Sequence, residues 1–151
     1  MKRWYEEGLQ FECTRCGNCC TGAPGYVWVT EREQFAIAGR LGLPLDEFQR
    51  RYTKLVGLRL SLLERPNGDC VFLGAEGGCS IQQVKPRQCV AFPFWPRILA
   101  SRKNWREIAL ECEGIGQGPR YEADEIDVML DMTNPRDVLC RILPKAKRAR
   151  A

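Results

Sequence analysis

Four of the nine cysteines lie within one eight-residue segment, and the chain contains no histidine. The segment reads Cys13-Thr14-Arg15-Cys16-Gly17-Asn18-Cys19-Cys20. Two residues between a pair of cysteines allow a tight turn to direct both sulfurs at one soft metal centre. Because adjacent side chains diverge, Cys19 and Cys20 are expected to serve different metals or different corners of one cluster. The sequence therefore predicts a metal site built from thiolates alone.

A disulfide framework is the main alternative for a chain this rich in cysteine. Residues 1–7 lack the apolar stretch of a secretory signal, the number of cysteines is odd, and half-cystines at this spacing make crowded bridges. A thioredoxin-like redox site is also disfavoured, because no strand–helix–strand pattern surrounds the motif. We therefore expect metal ligation and a cytoplasmic location.

Length and charge fit one domain over residues 1–144, followed by a basic tail at 145–151 that is expected to be disordered. With 151 residues and 44% apolar content, the chain is long enough to bury a core. Four residues of the tail account for the whole net charge of +4: Lys145, Lys147, Arg148 and Arg150. The neutral body lacks the basic stripe of a nucleic-acid-binding protein, and no segment resembles a membrane span. A protein partner and the oligomeric state stay open.

Scaffold segments alternate with cysteine-bearing loops, which predicts a small single α+β domain of short strands and cysteine-rich loops around a metal site, flanked by helices. Strands are expected at Leu9–Phe11 and at residues 26–30, 58–62 and 70–73, where β-branched, aromatic or alternating apolar residues occur. Helices are expected over Glu31–Leu41, behind a capping box that begins at Thr30, and over residues 45–55. Later helices are expected after Pro86, over residues 123–131 and over residues 134–143.

The cysteine motifs occur in an order that identifies a family. The pattern runs Phe11-x-Cys13-x-x-Cys16-Gly17-x-Cys19-Cys20, Gly25-Tyr26-Val27-Trp28, Asn67-Gly68-Asp69-Cys70, Gly78-Cys79-Ser80-Ile81, Pro86-x-x-Cys89-x-x-Phe92-Pro93-Phe94-Trp95 and Cys112-x-Gly114. It resembles the bacterial YkgJ-type cysteine-cluster proteins over residues 8–118. The family is described as zinc- or iron-chelating and is often classed with iron–sulfur proteins.

The resemblance implies a ligand set of eight cysteines: Cys13, Cys16, Cys19, Cys20, Cys70, Cys79, Cys89 and Cys112. Cys140 lies outside the pattern and is expected to be a buried free thiol. The chain departs from the family at four flanking positions, which leaves metal binding intact but puts a shared basic surface in doubt: Gln82, Lys85, Val90 and Glu113. The aromatic block at residues 92–96 is expected to shield the metal, to form core, or both.

Ligand type alone does not separate zinc from iron, because both accept four thiolates. An iron–sulfur cluster, with [4Fe–4S] favoured, suits three closely spaced thiolates that a distant cysteine completes, as in bacterial ferredoxins. Zinc stays the alternative, because structural zinc sites often pair two CxxC units. Eight ligands make two centres, and we expect one centre at Cys13, Cys16, Cys19 and Cys89 and the other at Cys20, Cys70, Cys79 and Cys112.

Three classes of function follow from an all-thiolate metal site. The first is an iron–sulfur protein with an electron-transfer, cluster-carrying or accessory role. The second is a zinc-stabilised structural or interaction module. The third is a metal-dependent modification enzyme, since a related module occurs in flagellin lysine N-methylases. Catalysis stays open, because the sequence shows no histidine and no paired carboxylates for acid–base work.

Overall fold

The computed structural model describes residues 2–21 and 26–133. Four sequence predictions lie outside the described residues: Gly25 of the family pattern, the helix over 134–143, the free thiol of Cys140 and the tail at 145–151. Among the described residues, no helix combines the length and apolar character needed to cross a membrane.

Short antiparallel strands and helices make up the described chain, which confirms the predicted α+β class. The strands are β1 (Leu9–Phe11), β2 (Thr53–Val56), β3 (Arg59–Leu62) and β4 (Ile115–Tyr121). The helices are α1 (Glu31–Leu41), α2 (Leu45–Tyr52), α3 (Arg87–Ala91), α4 (Pro96–Leu99), α5 (Arg102–Ala109) and α6 (Ala123–Met132). Strand β1 pairs with β4, and β2 pairs with β3.

Helix α1 begins and ends where its sequence predicts. The Thr30 hydroxyl accepts a hydrogen bond from the Glu33 backbone N–H, and the Glu33 carboxylate accepts one from the Thr30 N–H. These two bonds satisfy donors that the first helical turn leaves without partners. At the other end, Gly42 adopts φ +70°, a left-handed conformation that glycine tolerates best.

Helix α2 is shorter than predicted, because it ends at Tyr52 and β2 starts at Thr53. The Thr53 hydroxyl donates to the Gln49 carbonyl over 2.6 Å, and the Thr53 backbone pairs with Leu62. Residues 53–55 therefore form a hairpin with β3 that turns at Gly57 (φ +61°). Strand pairing here outweighs the helical spacing of the apolar residues.

Two of the predicted strands form isolated bridges and not regular strands. Residues 26–30 run beside β3 with one bridge, between Trp28 and Ser61, before Thr30 caps α1. Residues 70–73 make one bridge at each end, from Cys70 to Glu64 and from Leu73 to Cys79. Each bridge is a single point of pairing, so no regular ladder forms.

Strand β4 and helices α4 and α5 are not among the sequence predictions. Strand β4 contains two glycines and a proline (Ile115-Gly116-Gln117-Gly118-Pro119-Arg120-Tyr121), residues that are depleted in strands. Its pairing with β1 nevertheless brings the segment after Cys112 beside the segment that leads into the cysteine loop.

Two buried apolar clusters support the fold. The first core includes Tyr5, Phe11, Phe94, Trp105 and Ile126, and Cys112 belongs to it. The second core is built mainly from α1, α2, β3 and the segments beside them, and Cys70 and Cys79 pack against it. The first core thus positions Cys112, and the second positions Cys70 and Cys79.

Candidate metal centre

The cysteine loop at residues 13–20 packs closely on the turn that precedes Cys79. Gly17 adopts φ +81°, and a Cβ atom there would lie 2.8 Å from Leu73 Cδ1 and 2.9 Å from the Gly78 nitrogen. A Cβ atom on Gly78 (φ +76°) would lie 3.1 Å from the Arg15 carbonyl oxygen. Only glycine permits this approach of two backbones. The contact sets the loop against the Cys79 turn.

Three hydrogen bonds attach the same loop to the segment around Cys112. The Asn18 side-chain amide donates to the Glu111 carbonyl over 2.6 Å, and the Thr14 hydroxyl donates to the Glu113 carboxylate over 2.6 Å. The Glu12 N–H donates to the Gly114 carbonyl over 3.1 Å. Cys112 is therefore held beside the loop although it lies far along the chain.

Cys20 links Cys19 to Cys70. The Cys70 backbone N–H donates to the Cys20 carbonyl over 2.7 Å. The Cys20 thiol also hydrogen-bonds to the sulfurs of Cys19 and Cys70. The cysteine loop and the segment at Cys70 therefore bring thiols together around Cys20.

Helix α3 positions Cys89 through contacts of its neighbours. The Arg87 N–H donates to the Glu33 carboxylate over 3.0 Å, and the Trp95 indole N–H donates to the Gln88 carbonyl over 2.7 Å. These bonds tie the short helix to α1 and to the aromatic block. The residues of the aromatic block differ in burial: Phe94 is fully buried in the first core, whereas Trp95 is half-buried.

Hydrogen bonding and burial shift the pKa values of the thiols in opposite directions. The hydrogen bond from Cys20 lowers the pKa of Cys19 to about 6 and that of Cys70 to about 7. The same bonds raise the pKa of Cys20, and burial raises the pKa values of Cys79 and Cys89. Burial likewise raises the pKa of the Cys112 thiol. Thiolate character is thus favoured at Cys19 and Cys70.

The neighbours of Cys89 and Cys112 differ from the division expected from the sequence. The charges of Cys70, Cys19 and Cys79 act on the Cys89 thiol, whereas we expected it beside Cys13, Cys16 and Cys19, so Cys19 is the one expected partner among them. The sulfurs acting most on Cys112 are those of Cys16 and Cys19, whereas we expected Cys20, Cys70 and Cys79. The reason is the set of hydrogen bonds from Thr14 and Asn18, which bring the Cys112 segment to the loop.

Exposure varies across the eight cysteines. Cys13, Cys16 and Cys19 are exposed and Cys112 is buried, whereas the other four are intermediate: Cys20, Cys70, Cys79 and Cys89. Within residues 2–21 and 26–133, no three cysteine, aspartate or glutamate side chains already stand in a metal-binding arrangement. The donor set itself fits zinc or an iron–sulfur cluster, because thiols in mutual contact become soft anionic ligands once their protons leave.

Several residues that hold the thiols in place were not predicted from the sequence. Asn18 and Thr14 lie inside the cysteine motif, and their polar side chains were the available signal for a structural role. The close contact of Gly78 with the loop also depends on glycine, and the sequence analysis did not predict it. Contacts of this kind join segments that the sequence separates widely.

Comparison with known proteins relates this geometry to one family. Residues 12–113 match the family model CxxCxxCC, described as a "putative zinc- or iron-chelating domain". A curated relative, "Uncharacterized protein MJ0661" of Methanocaldococcus jannaschii, is 34% identical over 91 residues. The match covers 60% of this chain and 48% of that protein, so the chain spans about half the length of this relative. No solved structure matches the chain.

Proposed function

Because this chain belongs to the CxxCxxCC family of zinc- or iron-chelating domains, we propose that it holds iron–sulfur clusters, of the [4Fe–4S] type, through thiolates alone. The ligands are the eight cysteines of the family pattern: Cys13, Cys16, Cys19, Cys20, Cys70, Cys79, Cys89 and Cys112. The role is electron transfer, cluster carriage or an accessory function in another protein's chemistry.

The observation that carries this proposal is the contact of Cys20 with Cys19 and with Cys70. Cys79 and Cys89 lie near enough to Cys19 and Cys70, and Cys112 lies near enough to Cys16 and Cys19, for these sulfurs to affect their ionisation. A single zinc ion takes four sulfurs at about 2.3 Å. The corners of a cubane are separate, so clusters suit thiols that arrive from five segments of the chain: the loop at 13–20 and the segments at Cys70, Cys79, Cys89 and Cys112. The absence of histidine from the sequence also fits an all-thiolate cluster.

The thiol neighbours support a division of the ligands that differs from the one the sequence suggested. One centre uses Cys13, Cys16, Cys19 and Cys112, and the other uses Cys20, Cys70, Cys79 and Cys89. Cys19 influences both Cys89 and Cys112, so the two centres lie near each other. Adjacent Cys19 and Cys20 serve different centres in this division.

A bound cluster would supply a one-electron redox centre. The chain would shield the cluster from water on one side and leave it accessible to a partner on another. Phe92 packs edge-to-face on Trp95, with ring centres 5.1 Å apart, and both rings lie beside Cys20 and Cys70 around one cavity. These rings reduce contact with water on that side. Cys13, Cys16 and Cys19 are exposed, which favours approach by a redox or cluster-exchange partner.

Anaerobic purification followed by iron, zinc and sulfide analysis tests the proposal. We expect a coloured protein with equal amounts of iron and sulfide, and charge-transfer absorption that bleaches when the cluster is reduced. A colourless protein that holds zinc and no sulfide would contradict the proposal and favour a zinc-stabilised interaction module.

A further inference from the structure

The tip of the β2–β3 hairpin exposes two leucines. Leu55 is 57% exposed and Leu58 is 58% exposed. Val56 pairs with Arg59, so the chain reverses through Gly57 and Leu58 alone, with the positive φ of Gly57 at the first turn position. The second position of such a turn usually holds a small or polar residue. The turn itself does not require a leucine there, and the apolar side chain faces solvent.

Positive charge is concentrated on the same hairpin and on the end of α2. Residues 48–63 contain no acidic residue and four basic ones: Arg50, Arg51, Lys54 and Arg59. Arg51 forms an exposed ion pair with Glu47 at 3.4 Å. Strand alternation and the pairing of Val56 with Arg59 place Lys54 and Arg59 on one face of the hairpin. The exposed leucines are thus flanked by cations, although the tail alone accounts for the net charge of the whole chain.

Two aromatic rings lie beside these cations. Tyr26, which is 50% exposed, stacks on Trp28 with ring centres 4.8 Å apart. The Lys54 ammonium lies 5.3 Å from the centre of the Tyr26 ring. The Arg59 guanidinium lies 4.2 Å from the centre of the Trp28 ring. Tryptophan and tyrosine are enriched where a membrane meets water, and lysine and arginine lay their apolar stems along apolar surface while their charges stay in water.

The rings lie behind the tip at a distance that suits the surface of a membrane. Trp28 forms its bridge with Ser61, three residues along the chain from Leu58. At about 3.3 Å per residue, this places Trp28 roughly 10 Å behind the tip. Apolar side chains that dock on a membrane surface are buried about 5–10 Å into the boundary between headgroups and acyl chains. With the leucines at that depth, the aromatic rings and the cations would lie among the headgroups.

We propose that a hairpin surface docks the protein on an anionic lipid membrane, and that it consists of Tyr26, Trp28, Lys54, Leu55, Leu58 and Arg59. The two leucines enter the boundary between headgroups and acyl chains, and the cations bind lipid phosphates. Docking of this kind is reversible and needs no membrane-spanning helix. A single-stranded nucleic acid fits less well, because it offers little apolar surface to the leucines and the two rings already stack on each other. The proposal does not depend on which metal the cysteines hold.

Co-sedimentation with lipid vesicles tests the proposal. The purified, metal-loaded full chain is mixed with vesicles of phosphatidylcholine alone and with vesicles of equal parts phosphatidylcholine and phosphatidylserine. We expect binding about tenfold or more stronger to the anionic vesicles, because each cation near such a surface favours binding about fivefold. Equal binding to both kinds of vesicle, or binding to neither, would overturn the proposal.

The basic tail is tested apart from the hairpin surface, since its cations also attract anionic lipid. A full-length background replaces its four basic residues: Lys145→Gln, Lys147→Gln, Arg148→Gln and Arg150→Gln. Binding to the anionic vesicles should persist in this background. Its complete loss there would assign the binding to the tail and overturn the proposal.

Single substitutions separate the apolar contribution from the charge. Leu58→Ser should weaken vesicle binding about three- to tenfold, while Val128→Ser, at an apolar residue of similar exposure (63%) on α6, should not. Lys54→Gln should weaken binding about fivefold, while Arg106→Gln, at an exposed residue of α5, should change it little. Thermal unfolding and metal content are measured in all four variants, so loss of the fold is distinguished from loss of docking. Equal effects in variants and controls would contradict the assigned surface.

A labelled single-stranded oligonucleotide serves as the competing partner. We expect it to bind more weakly than the anionic vesicles and not to release the protein from them. If it binds more tightly than the vesicles, and Lys54→Gln weakens its binding whereas Leu58→Ser weakens neither kind of binding, the surface recognises nucleic acid and the proposal fails.

Discussion

Serine substitutions at Cys16, Cys89 and Cys112, singly and in pairs, should release metal in a pattern set by which thiols share a centre. Two [4Fe–4S] clusters hold about eight iron atoms, and loss of one leaves about four. Each single variant should therefore retain about half of the iron, because a thiolate cage tolerates little loss of ligands.

The double variants distinguish between the two possible divisions of the ligands. Burial and the nearby Cys16 sulfur both raise the pKa of the Cys112 thiol, and the 2.6 Å bond from Asn18 to the Glu111 carbonyl ties the two segments together, so the proposed division places Cys16 and Cys112 in one centre. The Cys16→Ser/Cys112→Ser double variant should keep about four irons, no fewer than either single variant. The Cys16→Ser/Cys89→Ser double variant should keep almost none, since it breaks both centres.

Iron and sulfide are measured on anaerobically purified protein, with Cys140→Ser as the matched control that should keep the full complement. If the Cys16/Cys89 pair keeps half and the Cys16/Cys112 pair keeps none, the division suggested by the sequence is right and the one inferred from thiol neighbours is wrong. If any single variant empties the protein, the eight cysteines form one interlocked cluster.

Three further changes test how the loop and its surroundings are held. Gly17→Ala should lower both stability and metal content. The control Gly57→Ala, at φ +61° with no atom within 4 Å of the added Cβ, should cost only the left-handed strain of about 1–2 kcal/mol. Thermal unfolding and metal analysis measure both variants, and equal losses would refute the close contact between Gly17 and Gly78. Burial raises the pKa of Tyr5 to about 12, so stability that is present below its ordinary pKa of 10 should be lost as pH rises from 10 to 12. The midpoint of urea unfolding should therefore fall less steeply with pH in Tyr5→Phe than in the unmodified protein. Parallel pH dependence of the two midpoints would contradict the assignment. Asn18→Ala should speed metal loss to a chelator about fivefold. The control Gln117→Ala removes a hydrogen bond of the same 2.6 Å length, from a side-chain amide to a carbonyl four residues away, and should not change the rate. Similar rates in the two variants would mean that the hydrogen bond from Asn18 does not hold the site.

Local features of the fold were predictable from the sequence. Helix α1 has its start in the Thr30 and Glu33 side chains and its end in Gly42, so a short stretch of residues is sufficient to define it. The prediction of α2 was wrong past Tyr52, because the pairing of Thr53 with Leu62 depends on a strand that comes later in the chain. Strand β4 was missed because its glycine-rich sequence lacks strand propensity and its pairing with β1 spans most of the chain.

The spacing of the cysteines and the lack of histidine were by themselves enough to predict a thiolate metal site, since CxxC geometry is a property of a few consecutive residues. The family was indicated by the resemblance of the whole order of motifs. Which thiols are neighbours was decided only by tertiary structure. Cys112 reaches the loop through hydrogen bonds from Thr14 and Asn18 that cross more than 90 residues of chain. The backbone contact between Gly17 and Gly78 likewise exists only after both cores have formed, because no local preference draws these two turns together.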